Sequence, residues 1–281
     1  MKPLFDIHLP NIKNEIPLVF DSPHSGDIYP HSFYTPVPLD ILKTGWDAFV
    51  EDLWSDCLGV GASLIEAHFP RTYIDPNRAP DDIDLSLIEG DWKGPINPTK
   101  YSKRGMGLIR RFALPNIEMY SGALSIEEVE ARINNYHTPY HKALQDRLDT
   151  LHSKFGAVYH IDCHSMKSKG NAMNIDNGIS RPDVVLGDGD GKCAESGFTH
   201  LVRDAFRSKG YSVQINDPYK GGYIIKHYSN LSENRNSIQI EINRALYMDE
   251  KKFERNGKFS HLKNDLSDIT KIIAKYIKAG L

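Results

Sequence analysis

The chain has 281 residues, 40% hydrophobic and 25% charged, which is length enough to bury a large core in one domain or two small ones. A formal net charge of −3 argues against a general nucleic-acid binder, and no apolar run approaches the ~20 residues of a membrane span. The run from Met1 to His8 turns acidic too soon for a secretory signal. Cys57, Cys163 and Cys193 are widely spaced, with no Cys-x-x-Cys pair, so reduced thiols in the cytoplasm are expected rather than a disulfide framework.

The first clear element is the apolar run Leu18-Val-Phe20, a buried strand punctuated by Asp21-Ser-Pro. Pro23 holds the chain extended before His24, and Gly26 allows a sharp turn after it. A histidine delivered to the carboxyl end of a strand is a candidate metal ligand or general base, against the plain reading of a loop histidine facing water. Leu39 to Leu58 is expected as one helix, because Leu42, Trp46, Phe49, Val50 and Leu53 form an apolar stripe, with Asp47 and Glu51 four apart on a neighbouring face. Gly59 and Gly61 stop it. Ala62 to Ala67 reads as a second strand, and Arg71-Thr-Tyr-Ile-Asp-Pro-Asn-Arg78 as a short strand running into a turn.

Residues 79–124 are loop-rich, with a basic cluster from Lys100 to Arg111; Gly105 and Gly107 lack the third glycine of a dinucleotide fingerprint and mark a flexible turn. Ser125 and Glu128 form a capping box for a helical pattern running towards Phe155-Gly156, which Pro139 should kink or divide. His137 and His141 sit four apart on one helix face, but without His-Glu-x-x-His and beside Tyr136, Tyr140 and Leu144 they read as packing residues. Ala157 to Ile161 is a strand ending in Asp162-Cys-His-Ser-Met166. Leu186 to Lys192 fails the ligand spacing of both calcium and phosphate loops and reads as a polar turn. An amphipathic helix (199–209), a strand (211–215), a glycine-hinged loop (218–223), a strand (236–242) and a closing helix (262–279) follow. Alternating strands and helices without a linker give one α/β domain over residues 1–281.

His24, Asp47, His164 and Glu241 fall where strands end or helices begin. Two imidazoles and a carboxylate are a common set for catalytic zinc, and a glutamate outside the set can take a proton from water. Arg71 and Arg78 suit a two-pronged grip on a carboxylate. Jointly these groups point to metal-assisted hydrolysis of an acidic substrate.

Five segments carry a resemblance: Pro23-His-Ser-Gly26; Arg71-x-x-Ile-Asp75-Pro-Asn77-Arg78; Asp162-Cys-His164-Ser165-Met166; Lys220-Gly-Gly-Tyr223 through His227-Tyr228; and Gln239-Ile-Glu241 with Tyr247-Met248. In this order, from about residue 15 to about residue 250, the chain resembles the N-formylglutamate amidohydrolase family, within the wider group of zinc carboxypeptidases and aspartoacylase-like deacylases. The resemblance implies a mixed central β-sheet flanked by helices on both faces. It also implies hydrolysis of N-formyl-L-glutamate to formate and L-glutamate, a step of histidine breakdown. The implied ligands of one divalent metal are His24, His164 and Asp47, the last preferred to Asp27. Zinc is the default, with manganese, iron or cobalt as alternatives.

For that hydrolysis Glu241 is expected to act as the general base, with Arg71 sharing the oxyanion charge. Asn77 and Arg78 match an Asp-x-Asn-Arg segment that holds a substrate carboxylate, leaving Arg71, Lys220 or Arg244 for the second. His160 is implied to be a strand residue and Cys163 packing. The competing readings are a related deacylase of another N-acyl amino acid and a metal-dependent small-molecule binding protein without catalysis.

Overall fold

Alternation builds the centre of the molecule. Ile161-Asp-Cys-His-Ser165 and Ile238-Gln-Ile-Glu-Ile242 place successive side chains on opposite faces of their strands, apolar on one face and polar on the other. In the computed structural model, which describes residues 3–174 and 176–281, both belong to a seven-stranded mixed sheet. Met1 and Lys2, the start of the run read against a secretory signal, lie outside the described residues.

The strands are β1 (Phe5–His8), β2 (Leu18–Ser22), β3 (Ser63–Ala67), β4 (Val158–Met166), β5 (Val184–Gly187), β6 (Val213–Ile215) and β7 (Arg235–Asn243), ordered β1-β3-β2-β4-β7-β5-β6. The central set β3, β2, β4 and β7 is parallel; β1 joins β3 and β5 joins β7 antiparallel, and β6 lies parallel to β5. The helices are α1 (Leu39–Leu42), α2 (Val50–Trp54), α3 (Ile126–Arg132), α4 (Thr138–Phe155), α5 (Ser196–Ser208), α6 (Tyr223–Tyr228) and α7 (Phe259–Ala279).

One face of the sheet is mainly apolar. Leu18, Phe20, Leu64, Ile161, Cys163, Ile238, Ile240 and Ile242 bury there against residues of α2, α5 and α7. Each such side chain contributes about 1.5–3 kcal/mol. The other face, under α4 and α6, packs Val19, Ile65 and Val158 in a second core. It also carries a polar row in which His160 bridges Ser237 Oγ (2.7 Å) and Asp21 Oδ1 (2.9 Å), and Tyr140 donates to Asp21 Oδ2 (2.8 Å). Further along the same row, towards the carboxyl ends of the strands, come Asp162, His164, Gln239 and Glu241. The expected mixed sheet between helical layers is borne out.

The local expectations fare unevenly. Ser125 caps α3 by accepting from the Glu128 amide (3.2 Å), and Pro139 opens α4 after a π-turn at Ile133–His137, dividing the helical run as expected. Inside the fold, His137 Nε2 donates to Arg78 O (2.9 Å) and His141 Nε2 to Pro76 O (2.8 Å), and His141 Nδ1 pairs with Tyr228 Oη (2.7 Å). The helix expected over 39–58 is broken. It divides into α1, α2 and flanking 3-10 turns, with residues 46–49 non-helical and Phe49 at φ 64°. The reason is that its apolar stripe serves two cores: Leu42 packs on one side of the sheet, Val50, Leu53 and Trp54 on the other. No strand forms at 71–78, where Pro70 O accepts from Tyr73 and Asp75 Oδ1 from Asn77, turning the chain back on itself. β4 runs five residues beyond its apolar start, to Met166, because Asp162 and His164 find partners on the polar face. β1 was not legible, being a short, half-exposed edge strand. Among the described residues no helix is long and apolar enough to cross a membrane.

Glu51, on α2, yields a pH prediction. Burial pushes its carboxyl from the ordinary 4.5 up to about 7, and its Oε2 is enclosed without a hydrogen-bond partner among the described residues. A raised folded pKa means that its share of stability is fully present below about pH 4.5 and is lost as pH rises through about 7. Glu51→Gln is therefore expected to remove a loss of up to roughly 3 kcal/mol between those limits. Thermal midpoints of both proteins at pH 5 and pH 8 check this: wild type should fall relative to the variant.

Candidate active site

Parallel register places the polar ends of three strands side by side. Glu241 on β7 stands opposite His164 on β4, and β2 ends one turn before His24. Gly26 follows because backbone, not torsion, requires it: a Cβ there would come 2.3 Å from His68 C and Phe69 O. The kink between α1 and α2 then brings Asp47 in from the side, its amide donating to His24 O (3.1 Å).

His24, Asp47 and His164 meet in the interior. Asp47 Oδ2 is 3.1 Å from His164 Nδ1 and 3.4 Å from His24 Nδ1, and the three donor atoms lie within 4.8 Å of one another. The far nitrogen of each imidazole rests on its own carboxylate: His24 Nε2 on Asp75 Oδ1 and His164 Nε2 on Asp162 Oδ1, both at 2.7 Å. His24 Nδ1 is buried with no hydrogen-bond partner among the described residues. Asp27, by contrast, is exposed.

The electrostatics follow from these contacts. Burial would raise the Asp47 carboxyl, but the His164 hydrogen bond, the neighbouring His24 imidazole and the Arg244 guanidinium hold it well below the usual range. Burial is likewise outweighed at Asp75 by Arg71 and His24, so that carboxyl also stays ionised. Burial, with Arg71 nearby, lowers His24; at His164 the carboxylates of Asp162, Asp47 and Glu241 overcome burial and raise it. Burial raises Glu241, a shift tempered by His164.

These groups line a cleft of about 300 Å³. Ten lysines and arginines line it against two carboxylates, Asp47 and Glu241, so a chain of net charge −3 presents a strongly positive cleft suited to an anionic ligand. Their commitments differ. Arg71 donates from Nε (3.1 Å) and Nη2 (2.7 Å) to Asp75 Oδ2. Arg78 donates to Met106 O and Asn77 O and lies over the Tyr101 ring at 4.1 Å. Lys220 sits at the mouth, more than half exposed, on Asp190 (3.0 Å).

Two residues expected to touch substrate line the cleft and also bond within the protein. Arg244 donates to Asp47 Oδ1 (2.7 Å), Ser165 Oγ (3.1 Å) and Thr44 O (3.2 Å), so it holds Asp47 in place. Asn77 donates to Asp162 Oδ2 (3.2 Å) and Gln239 Oε1 (3.3 Å) and accepts from the Ile224 amide (2.9 Å). It ties the 75–78 turn to the sheet and to α6, and Gly222 is required beside it, since a Cβ would come 2.2 Å from its Oδ1.

Sequence reasoning passed over Asp75, Asp162 and Arg110. The i, i+2 spacing of Asp162 and His164 on one strand was a usable signal for the first contact; Arg110 was hidden in the basic cluster. A second grouping, Asp6, Glu66 and His68 at the sheet edge, is internally paired: His68 Nε2 is 3.3 Å from both carboxylates and its Nδ1 is 2.9 Å from Pro3 O. Cys163 is buried in the apolar core, and burial pushes its thiol well above the usual range, as packing requires.

The solved N-formylglutamate amidohydrolase of Ralstonia eutropha JMP134 is 41% identical to this chain, with a TM-score of 0.92 over 99% of each. An N-formylglutamate deformylase of Pseudomonas aeruginosa is 26% identical over 273 residues, 96% of this chain and 94% of that one. A protein of Agrobacterium tumefaciens, 16% identical with a TM-score of 0.71 over 99% and 97% of the two chains, shares the fold. The class is a hydrolase acting on an amide. Residues 16–248 match the model of the N-formylglutamate amidohydrolase family, and the chain belongs to that family, as its motifs implied.

Proposed function

We propose that the cleft hydrolyses N-formyl-L-glutamate to formate and L-glutamate, with residues 1–281 acting as one cytoplasmic unit. The observation that carries this reading is the convergence of His24, Asp47 and His164 below a cation-lined cleft, with Glu241 beside them. The named activities of the relatives from Ralstonia eutropha and Pseudomonas aeruginosa support it.

The donor set fits a divalent metal ion: an orphaned buried nitrogen at His24, an ionised Asp47, and a carboxylate behind each imidazole to fix its orientation. His24 Nδ1, Asp47 and His164 Nδ1 would hold it. Zinc is the default, with manganese, iron or cobalt as alternatives; when bound, the ion supplies Lewis-acid polarisation and an acidified water.

The chain's own groups do the rest. Glu241, made more basic by burial, takes a proton from the water that adds to the formyl carbon and returns it to the departing amine nitrogen, which is a very poor leaving group without it. Arg71, clamped through Nε and Nη2 on Asp75, shares the negative charge that develops on the formyl oxygen. Arg78, with Nε and Nη1 donating to carbonyls, offers Nη2 to the α-carboxylate. Lys220 contributes attraction at the mouth, where solvent screens it.

The test is formate release from a panel of N-formyl and N-acetyl amino acids, with metal content measured in parallel. N-formylglutamate is expected to be the best substrate, activity to vanish on exhaustive chelation, and a divalent ion to restore it. Preference for an N-acetyl amino acid would instead identify a related deacylase. Tight ligand binding without turnover would identify a binding protein.

A further inference from the structure

Arg110 is a buried guanidinium in the cleft whose charge the described residues of the protein do not pair. It is 9% exposed, and among the described residues its guanidinium makes no hydrogen bond; Nε is enclosed without a partner. Its nearest carboxylate oxygen, Asp75 Oδ2, is 4.0 Å away and already receives two donors from Arg71. The other oxygen of Asp75 serves His24 and the Asn77 amide. One carboxylate is thus asked to serve more donors than it has room for, and Arg110 is left over.

Two other arginines of the cleft are not in this position. Arg181 is held by both oxygens of Asp176, and Arg244 by Asp47. Isolating a guanidinium from water without an anion is strongly unfavourable, and burial together with Arg71 and Arg78 pushes Arg110 down to about 9, which still leaves it charged at neutral pH. Its open side is the cleft, which it lines together with Gly45. A buried charge with an open side and no protein partner is what a site needs to reject the neutral analogue of its ligand.

We infer that Arg110 is the anchor for the side-chain carboxylate of an N-formyl dicarboxylic amino acid, gripping it through two donors while Arg78 takes the α-carboxylate. This rests on the N-formylglutamate reading above and assigns the residue that selects for it.

The experiment compares wild type, Arg110→Met and Arg110→Lys on N-formylglutamate and its neutral isostere N-formylglutamine, with thermal midpoint and metal content recorded. Arg110→Met is expected to lower kcat/KM for N-formylglutamate by about 10²–10³-fold. N-formylglutamine should stay within about threefold, so that the preference collapses; a threefold change is under half a tenfold step in free energy. The thermal midpoint should hold or rise, because an unpaired buried charge has been removed, and Arg110→Lys should recover part of the loss. Equal losses on both substrates, no loss, or a lowered midpoint with loss on both would overturn the assignment. Wild-type protein that is inactive on N-formylglutamate would instead overturn the parent reading, and this one with it.

Discussion

Glu241→Gln is expected to lower kcat by about 10²–10⁴-fold while the protein keeps its metal and its fold. The side chain stands opposite His164 in the strand register, outside the His24–Asp47–His164 group, so its replacement removes none of those donors. The size and shape of the residue are kept, and the variant's amide oxygen can still accept from Gln239 Nε2, as Glu241 Oε1 does at 2.9 Å. What is lost is a carboxylate made more basic by burial, the group able both to accept a proton from water and to deliver it to nitrogen. Steady-state kinetics with metal analysis decide the matter: a kcat within tenfold of wild type at full metal content would remove Glu241 from the role of general base.

Asp47→Ala should have the largest effect on stability. The substitution takes the partner from Arg244 Nη2 (2.7 Å), the acceptor from His164 Nδ1 (3.1 Å) and a neighbouring charge from His24 (3.4 Å). Breaking a buried pair by removing one member costs about 3–5 kcal/mol, because the other charge is left without compensation. For a chain of this size that corresponds to a fall in thermal midpoint of roughly 6–20 °C. Metal should be lost with it.

The two losses can be separated. Asp47→Asn combined with Arg244→Met removes both charges, and is expected to regain much of the stability without regaining the metal. Asp27→Asn, at an exposed position, should change neither. If Asp27→Asn abolished metal binding while Asp47→Asn kept it, the ligand assignment would have to be exchanged between them.

The strands β2, β4 and β7 were legible because their side-chain alternation follows from backbone geometry alone, whatever their neighbours. The capping box at Ser125 and the division at Pro139 were legible for the same reason: both act within a few residues. The helix over 39–58 was misread because its apolar stripe is divided between two cores, a fact of layer position and not of period. Arg71–Arg78 was misread as a strand because its turn is held by carboxylate and carbonyl acceptors that a hydropathy pattern does not register.

The same division runs through the site. The sequence by itself determined the family, the strand ends that carry His24, His164 and Glu241, and the wealth of guanidinium groups, because residue type and short spacing are written in the chain. Only the tertiary structure decided how each charged group is spent. Arg244 and Asn77 read as substrate anchors, and the fold also engages their donors with Asp47 and Ser165, and with Asp162 and Gln239, from elsewhere in the chain. Arg110 read as one residue in a basic run until every carboxylate near it proved to be taken. A donor's identity is local, but whether it is satisfied depends on which acceptors the fold brings within about 3 Å, and those lie far away along the chain.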